Sequence, residues 1–163
     1  TGGKVGGRVV PIKFRFDVAM TGRLGMEMKP SALSQKEREF AKRAIETYKS
    51  IRPVIQQGDL YRLVTPYEEK PYVSMIYCTP EKDRAVYFLF RRSFLKDTWE
   101  EPRKLAGLDP ERNYLIKEIN AANPAKKVSL DGKIVSGRFL MENGFRLNLG
   151  QDMSSVVLEL IAQ

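Results

Sequence analysis

Gln56-Gln57-Gly58-Asp59-Leu60-Tyr61-Arg62-Leu63-Val64-Thr65-Pro66-Tyr67 is the stretch at which this chain changes its period. On its N-terminal side apolar residues recur at helical spacing. On its C-terminal side they recur every second residue, in short runs. The stretch therefore reads as a joint between a helical part, residues 1–58, and a strand-rich part, residues 59–163.

Immediately upstream lies the clearest element. Ser34 and Glu37 make a capping box, in which each side chain satisfies an orphan backbone N–H at a helix start. Phe40, Ala41, Ala44, Ile45, Tyr48 and Ile51 follow as one apolar stripe. Pro53 should kink or end the regular helix, Val54 and Ile55 add one turn, and Gly58 is placed as its C-cap. Farther upstream the pattern is ambiguous. Ile12, Phe14, Phe16 and Val18 alternate as in a strand, whereas Pro11 suits a first helical turn and Ile12, Phe16, Ala19 and Met20 share a helical face. Leu24, Met26 and Met28 alternate as a candidate short strand that ends at Pro30, and residues 1–8, with four glycines, read as a loop or a frayed end. One striped helix and one ambiguous segment cannot bury two faces alone. They must lie against the strands, a second chain or a further domain.

Downstream, strands are expected over 60–64, 72–77, 84–90 and 113–119, with later ones at 139–140, 145–149 and 154–160. Pro80-Glu81-Lys82-Asp83, Gly107-Leu108-Asp109-Pro110 and Asp131-Gly132 carry the turn signals between them. Residues 91–101, polar with two embedded aromatics, read as a loop crossing between sheets. Leu63, Val73, Met75, Val86, Phe88, Leu115, Ile119, Leu147, Val156 and Leu158 supply a core. Short strands with regular turns indicate an antiparallel sandwich, and the whole chain an α+β protein.

The formal charge of +8 raises the question of a nucleic-acid partner. Residues 1–58 hold 12 Lys and Arg against 5 Asp and Glu, and residues 59–163 hold 16 against 15, so the excess sits in the helical part. There Arg38, Lys42, Arg43, Lys49 and Arg52 are interleaved with Glu37, Glu39 and Glu46 instead of forming a basic face with stacking aromatics. That is a solvated helix surface, and no nucleic-acid partner is expected. No apolar run approaches the roughly 20 residues that span a bilayer, so no membrane partner is expected either. Thr1-Gly2-Gly3-Lys4 lacks a signal-peptide core, which leaves the compartment open, with a periplasmic or secreted location favoured over a cytoplasmic one. The chain has no histidine and one cysteine, Cys78, which excludes an internal disulfide and argues against zinc and histidine acid/base chemistry. Cys78 reads as a small buried hydrophobe. Gly2-Gly3 and Gly6-Gly7 lack the lysine and hydroxyl residue of a phosphate loop. No cofactor or metal is expected.

Several blocks, in order, resemble α-galactosidases of glycoside hydrolase family 36, bacterial type. Arg15-Phe16-Asp17-Val18-Ala19-Met20-Thr21-Gly22-Arg23-Leu24-Gly25 is similar to a segment late in the family's barrel. It is followed by the helix start Leu33-Ser34-Gln35-Lys36-Glu37, the pair Tyr48-Lys49 and the joint from Gly58 to Pro66. Gly107-Leu108-Asp109-Pro110 with Tyr114, Lys117 and Glu118, and Gly137-Arg138-Phe139-Leu140-Met141 with Gly144, resemble blocks of its C-terminal domain. The resemblance implies that residues 1–58 are the last turns of a (β/α)8 barrel. In it the segment near 10–21 is a helix, 24–28 the eighth strand and 34–57 the eighth helix. Residues 59–163 would be the C-terminal sandwich.

For the intact enzyme the resemblance implies retaining hydrolysis of terminal α-galactosides by two aspartates, in a site where such carboxyls stand about 5 Å apart. Neither family motif that carries them occurs here. Asp17, Asp59 and Asp109 fall in blocks to which the family assigns no catalysis. Glu68-Glu69 and Glu100-Glu101 are adjacent pairs, which in a strand point to opposite faces and cannot flank one bond. The expectation is a segment with no catalytic, cofactor-binding or metal-binding residue, whose sandwich braces the barrel. Its partners are the rest of that barrel, α-galactosides through the parent enzyme, and further copies in a homo-oligomer. The alternative is a free-standing carbohydrate-binding or interaction module with Trp99, Phe94, Tyr67 or Tyr72 as sugar platform.

Overall fold

The computed structural model describes residues 3–5, 8–27, 29–68, 70–92, 101–147, 149–150 and 152–163. In chain order, β1 (Gly3–Val5) pairs with β2 (Arg8–Val10), and α1 (Ile12–Met20) follows. A 3-10 turn, Pro30–Ala32, leads to α2 (Gln35–Gln57). Then come β3 (Asp59–Val64), β4 (Tyr72–Cys78), β5 (Arg84–Arg91), β6 (Asn113–Ile119), β7 (Ile134–Ser136), α3 (Gly137–Glu142) and β8 (Ser154–Ala162). β3 to β8 form one sheet in the order β3-β4-β5-β8-β6-β7, and every neighbouring pair is antiparallel. The last strand in sequence thus lies in the middle of the sheet.

The ambiguity over 12–20 resolves as helix. Pro11 stands at its start, where a missing N–H costs nothing, and Phe16, Asp17 and Met20 are buried. Residues 23–27 join no ladder, and Met28 lies outside the described residues. A strand needs neighbours to satisfy its backbone, and no described segment pairs with this one.

The capping box of α2 is formed. The Glu37 N–H donates to Ser34 Oγ at 3.3 Å, and the Ser34 N–H donates to Glu37 Oε2 at 2.9 Å. Ser34→Ala is expected to lower the unfolding free energy by about 1 kcal/mol, read from urea denaturation midpoints. Phe40, Ala41, Ala44, Tyr48, Ile51, Val54 and Ile55 are buried along α2. They pack on Val73, Tyr77, Val86, Phe88, Phe90 and Val157 of the sheet. Of the three destinations open to the stripe, it takes the strands. The helix runs on through exposed Pro53 to Gln57. Gly58 ends it with φ −81°, outside the left-handed region of a typical glycine C-cap. Its need is spatial: a Cβ there would lie 2.5 Å from the Val54 carbonyl oxygen and 2.6 Å from that of Cys78. The joint is the point where α2 crosses the end of β4.

The other face of the sheet buries Ile76, Cys78, Tyr87, Leu89, Ile116 and Leu158 under Leu105, Leu108, Leu140, Phe145, Leu147 and Leu149. Among the described residues this covering layer is irregular chain plus α3. Residues 139–140, expected as a strand, lie in α3, because Ser136 Oγ accepts from the Phe139 N–H at 3.2 Å and caps a helix instead. Among the described residues of 145–149, only Phe145 pairs, in a single bridge to Arg103. In β6 the inward phase is the reverse of that expected. Tyr114, Ile116 and Glu118 are buried, and Leu115 and Ile119 are half-buried. Glu118 can face inward because its Oε2 accepts from the Val128 N–H at 2.6 Å. Leu63 and Met75, also expected in the core, are half-buried. The expected crossing loop at 91–101 falls mostly on 93–100, outside the described residues.

Candidate functional site: a buried carboxylate between helices and sheet

Asp17 is placed by α1, whose inner face carries it down onto the sheet, where it is fully buried. Its Oδ2 accepts from Ser155 Oγ at 2.6 Å and from Lys13 Nζ one turn earlier on α1, and its Oδ1 accepts from Asn120 Nδ2 at 2.5 Å. Ser155 belongs to β8. Asn120 follows β6 directly, in a left-handed conformation with φ 52° that asparagine tolerates better than most residues. Burial pushes the Asp17 carboxyl above its ordinary value, and the Lys13 ammonium and the hydrogen bonds from Ser155 and Asn120 oppose that push. Three donors from this chain occupy both carboxylate oxygens, Oδ2 twice and Oδ1 once. One carboxylate thus joins α1 to β8 and to the residue that follows β6.

The other carboxylates named from the sequence do not converge on it. Asp59 is exposed at the start of β3, opposite Cys78. Asp109 sits in the Gly107–Pro110 turn, where its Oδ1 accepts from the Glu111 N–H at 2.9 Å and its Oδ2 lies 3.4 Å from Arg112 Nε. Glu68 closes the β3–β4 loop by accepting from the Thr65 N–H at 2.8 Å. Glu101 is exposed, and Glu69 and Glu100 lie outside the described residues. Among the described residues no three His, Cys, Asp or Glu side chains gather as a metal site. No helix among them is long and apolar enough to cross a membrane.

Of the aromatic platform candidates, Trp99 and Phe94 lie outside the described residues. Tyr72 is half-buried and its ring is covered by the Arg103 guanidinium, 4.6 Å from the centroid. Tyr67 is 95% exposed, at the tip of a loop whose Pro66 and Lys70 carbonyls accept from Arg92 at 3.1 and 3.0 Å. Cys78 is buried, its Sγ 3.6 Å from the Ala106 carbonyl oxygen, and burial pushes its thiol up to about 12, which removes it as a nucleophile. Sequence reasoning missed Asn120 and Ser155. Neither carries a local signal, since they meet Asp17 across 103 and 138 positions.

Residues 72–160 match the glycosyl hydrolase family 36 C-terminal domain, and residues 3–58 match melibiase. "Probable alpha-galactosidase C" of Aspergillus terreus is 30% identical over 154 residues, which is 93% of this chain and 18% of that protein. Alpha-galactosidase AgaA of Geobacillus stearothermophilus is 30% identical over 113 residues, 69% of this chain and 15% of that protein. The crystal structure of that AgaA, a GH36 alpha-galactosidase, superposes with a TM-score of 0.84 at 27% identity, covering 97% of this chain and 20% of its own. The chain thus spans about a fifth of the length of these relatives. With the C-terminal-domain match alone taking in more than half of its residues, and the six-stranded antiparallel domain reproduced in a solved member, the chain belongs to glycosyl hydrolase family 36.

Proposed function

We propose that this chain is the non-catalytic C-terminal segment of an α-galactosidase, in which residues 59–163 brace the end of the catalytic barrel represented by residues 1–58. The intact enzyme hydrolyses terminal α-galactosides with retention, and the carboxylates that carry the reaction lie in a part of the barrel other than this chain. Its partner is the rest of that barrel, and it meets substrate only through the enzyme that contains it.

The observation that carries the reading is the Asp17 brace. A buried carboxylate on a helix of the melibiase match is held by Ser155 of β8 and by Asn120 at the end of β6. The division at 58/59 is supported by the melibiase match ending at residue 58 and by the change from α2 to β3 across Gly58. Hydrolysis of p-nitrophenyl α-galactoside by this chain, measured beside the longer protein that contains it, tests the reading. Turnover by the longer protein alone is the expected result. Turnover by the 163-residue chain would place catalytic carboxylates within it. No turnover by either would remove the galactosidase.

A further inference from the structure

A helix leaves its last carbonyls without intrahelical donors, and the residues beyond must find partners elsewhere. After α1, the Thr21 and Gly22 N–H groups close the helix by donating to the Val18 and Ala19 carbonyls at 3.2 and 3.4 Å. Beyond the Met20 carbonyl come those of Thr21 and Gly22, and each accepts from a different tyrosine. Tyr77 Oη of β4 donates to the Thr21 oxygen at 2.5 Å, and Tyr48 Oη of α2 donates to the Gly22 oxygen at 2.8 Å. Gln56 Nε2 donates in turn to Tyr48 Oη at 3.4 Å, which orients that hydroxyl toward Gly22. Both rings are buried in the core between α2 and the sheet, so the hydroxyls are delivered from rigid positions. Immediately beyond, Arg23 and residues 25–27 are exposed and only Leu24 packs inward.

We propose that Tyr77 and Tyr48 form a hydroxyl latch that fixes where the chain leaves α1, so that the sheet, through Tyr77, sets the path of residues 23–27. In the longer enzyme this deepens the bracing reading and rests on it there, because the family resemblance makes 24–28 the last barrel strand. The latch itself does not need that reading. Its strength is bounded by solvent. Thr21, Gly22, Arg23, Gln56 and Tyr77 edge an open cleft of about 480 Å³, so water can replace either hydroxyl when it is lost. The net worth of such a bond then corresponds to about fivefold in a local opening equilibrium.

Trypsin reads that equilibrium in this chain. Cleavage at Arg23–Leu24 requires the backbone at 21–23 to extend into the protease, and so requires the Thr21 and Gly22 carbonyls to leave the tyrosines. Tyr77→Phe and Tyr48→Phe keep the rings and remove only the hydroxyls. Each is expected to speed cleavage at Arg23–Leu24 by about fivefold and to leave cleavage at the exposed Lys126–Lys127 bond within about twofold of the parent chain. An unchanged rate at Arg23–Leu24 in both variants would overturn the latch, as would an equal rise at both bonds, which marks global loosening. Failure of the galactosidase reading would show in the turnover assay and leave this ratio untouched.

Discussion

Asp17→Ala is expected to lower the unfolding free energy by about 3–5 kcal/mol, the range for removing one member of a buried, hydrogen-bonded ion pair. The figure rests on the partners left behind. Ser155 Oγ would face a void with no acceptor, at the cost of an unsatisfied buried donor, and the half-buried Asn120 amide would lose its partner as well. Lys13 contributes less, since its side chain is 14% exposed and can turn toward water. Asp17→Asn provides the contrast. Its Oδ1 can still accept from Lys13 and Ser155, and its new Nδ2 is met if the Asn120 amide turns over to present oxygen. The asparagine variant should therefore lose only about 1–2 kcal/mol. Urea unfolding of the two variants beside the parent measures both. A loss below about 1 kcal/mol for Asp17→Ala would show that the carboxylate braces nothing.

Gly137→Ala is the second large effect, and it arises from contact alone. A Cβ at Gly137 would stand 2.0 Å from the Asp109 carbonyl oxygen, 2.9 Å from its carbon and 3.1 Å from the Tyr114 ring. Neither side can give way easily. The Gly137 N–H is tied to the Arg112 carbonyl at 2.8 Å, the Arg112 N–H donates to the Asp109 carbonyl at 3.3 Å, and the Asp109 N–H donates to Tyr114 Oη at 3.0 Å. The expected loss is about 3 kcal/mol, at the upper end for inserting a methyl into a packed site. Gly25→Ala meets nothing within 4 Å and should stay within about 0.5 kcal/mol of the parent in the same thermal or urea titration. Equal midpoints for the two variants would refute the contact argument. The same wedge gives a reason for two family blocks at once: the Gly107–Pro110 turn and the Gly137 helix start are the two sides of one contact.

What could be read from the sequence was what local physics decides. Ser34, Glu37 and the stripe from Phe40 to Ile51 specified α2, since cap and period agreed over many residues. The expected strands at 60–64, 72–77, 84–90 and 113–119 stand within a residue of β3 to β6. The segment from Ile12 to Val18 satisfied periods of two and of 3.6 together, and only burial of Phe16, Asp17 and Met20 against the sheet separates them. α3 was too short for its period to register, and Phe139-Leu140 alone looks like a strand. The phase of β6 was misread because Glu118 faces inward, a choice that depends on the Val128 N–H ten positions away. The brace at Asp17 was not legible at all. An aspartate followed by apolar residues carries no mark of a donor arriving 138 residues later.

The position of β8 has a consequence for how the chain can acquire its structure. β3, β4 and β5 can pair as each is made, and β6 can pair with β7, yet these two groups share no strand ladder until β8 enters between them, only side-chain bonds such as that from Tyr114 Oη to the Lys82 carbonyl at 2.7 Å. During synthesis from the N-terminus the two groups must therefore wait, each with one edge open and one face uncovered, for the final nine-residue strand. Ser155 arrives on that same strand. The helices meet their last polar partner only when the sheet closes, so completion of the sheet and seating of the helical part become a single event.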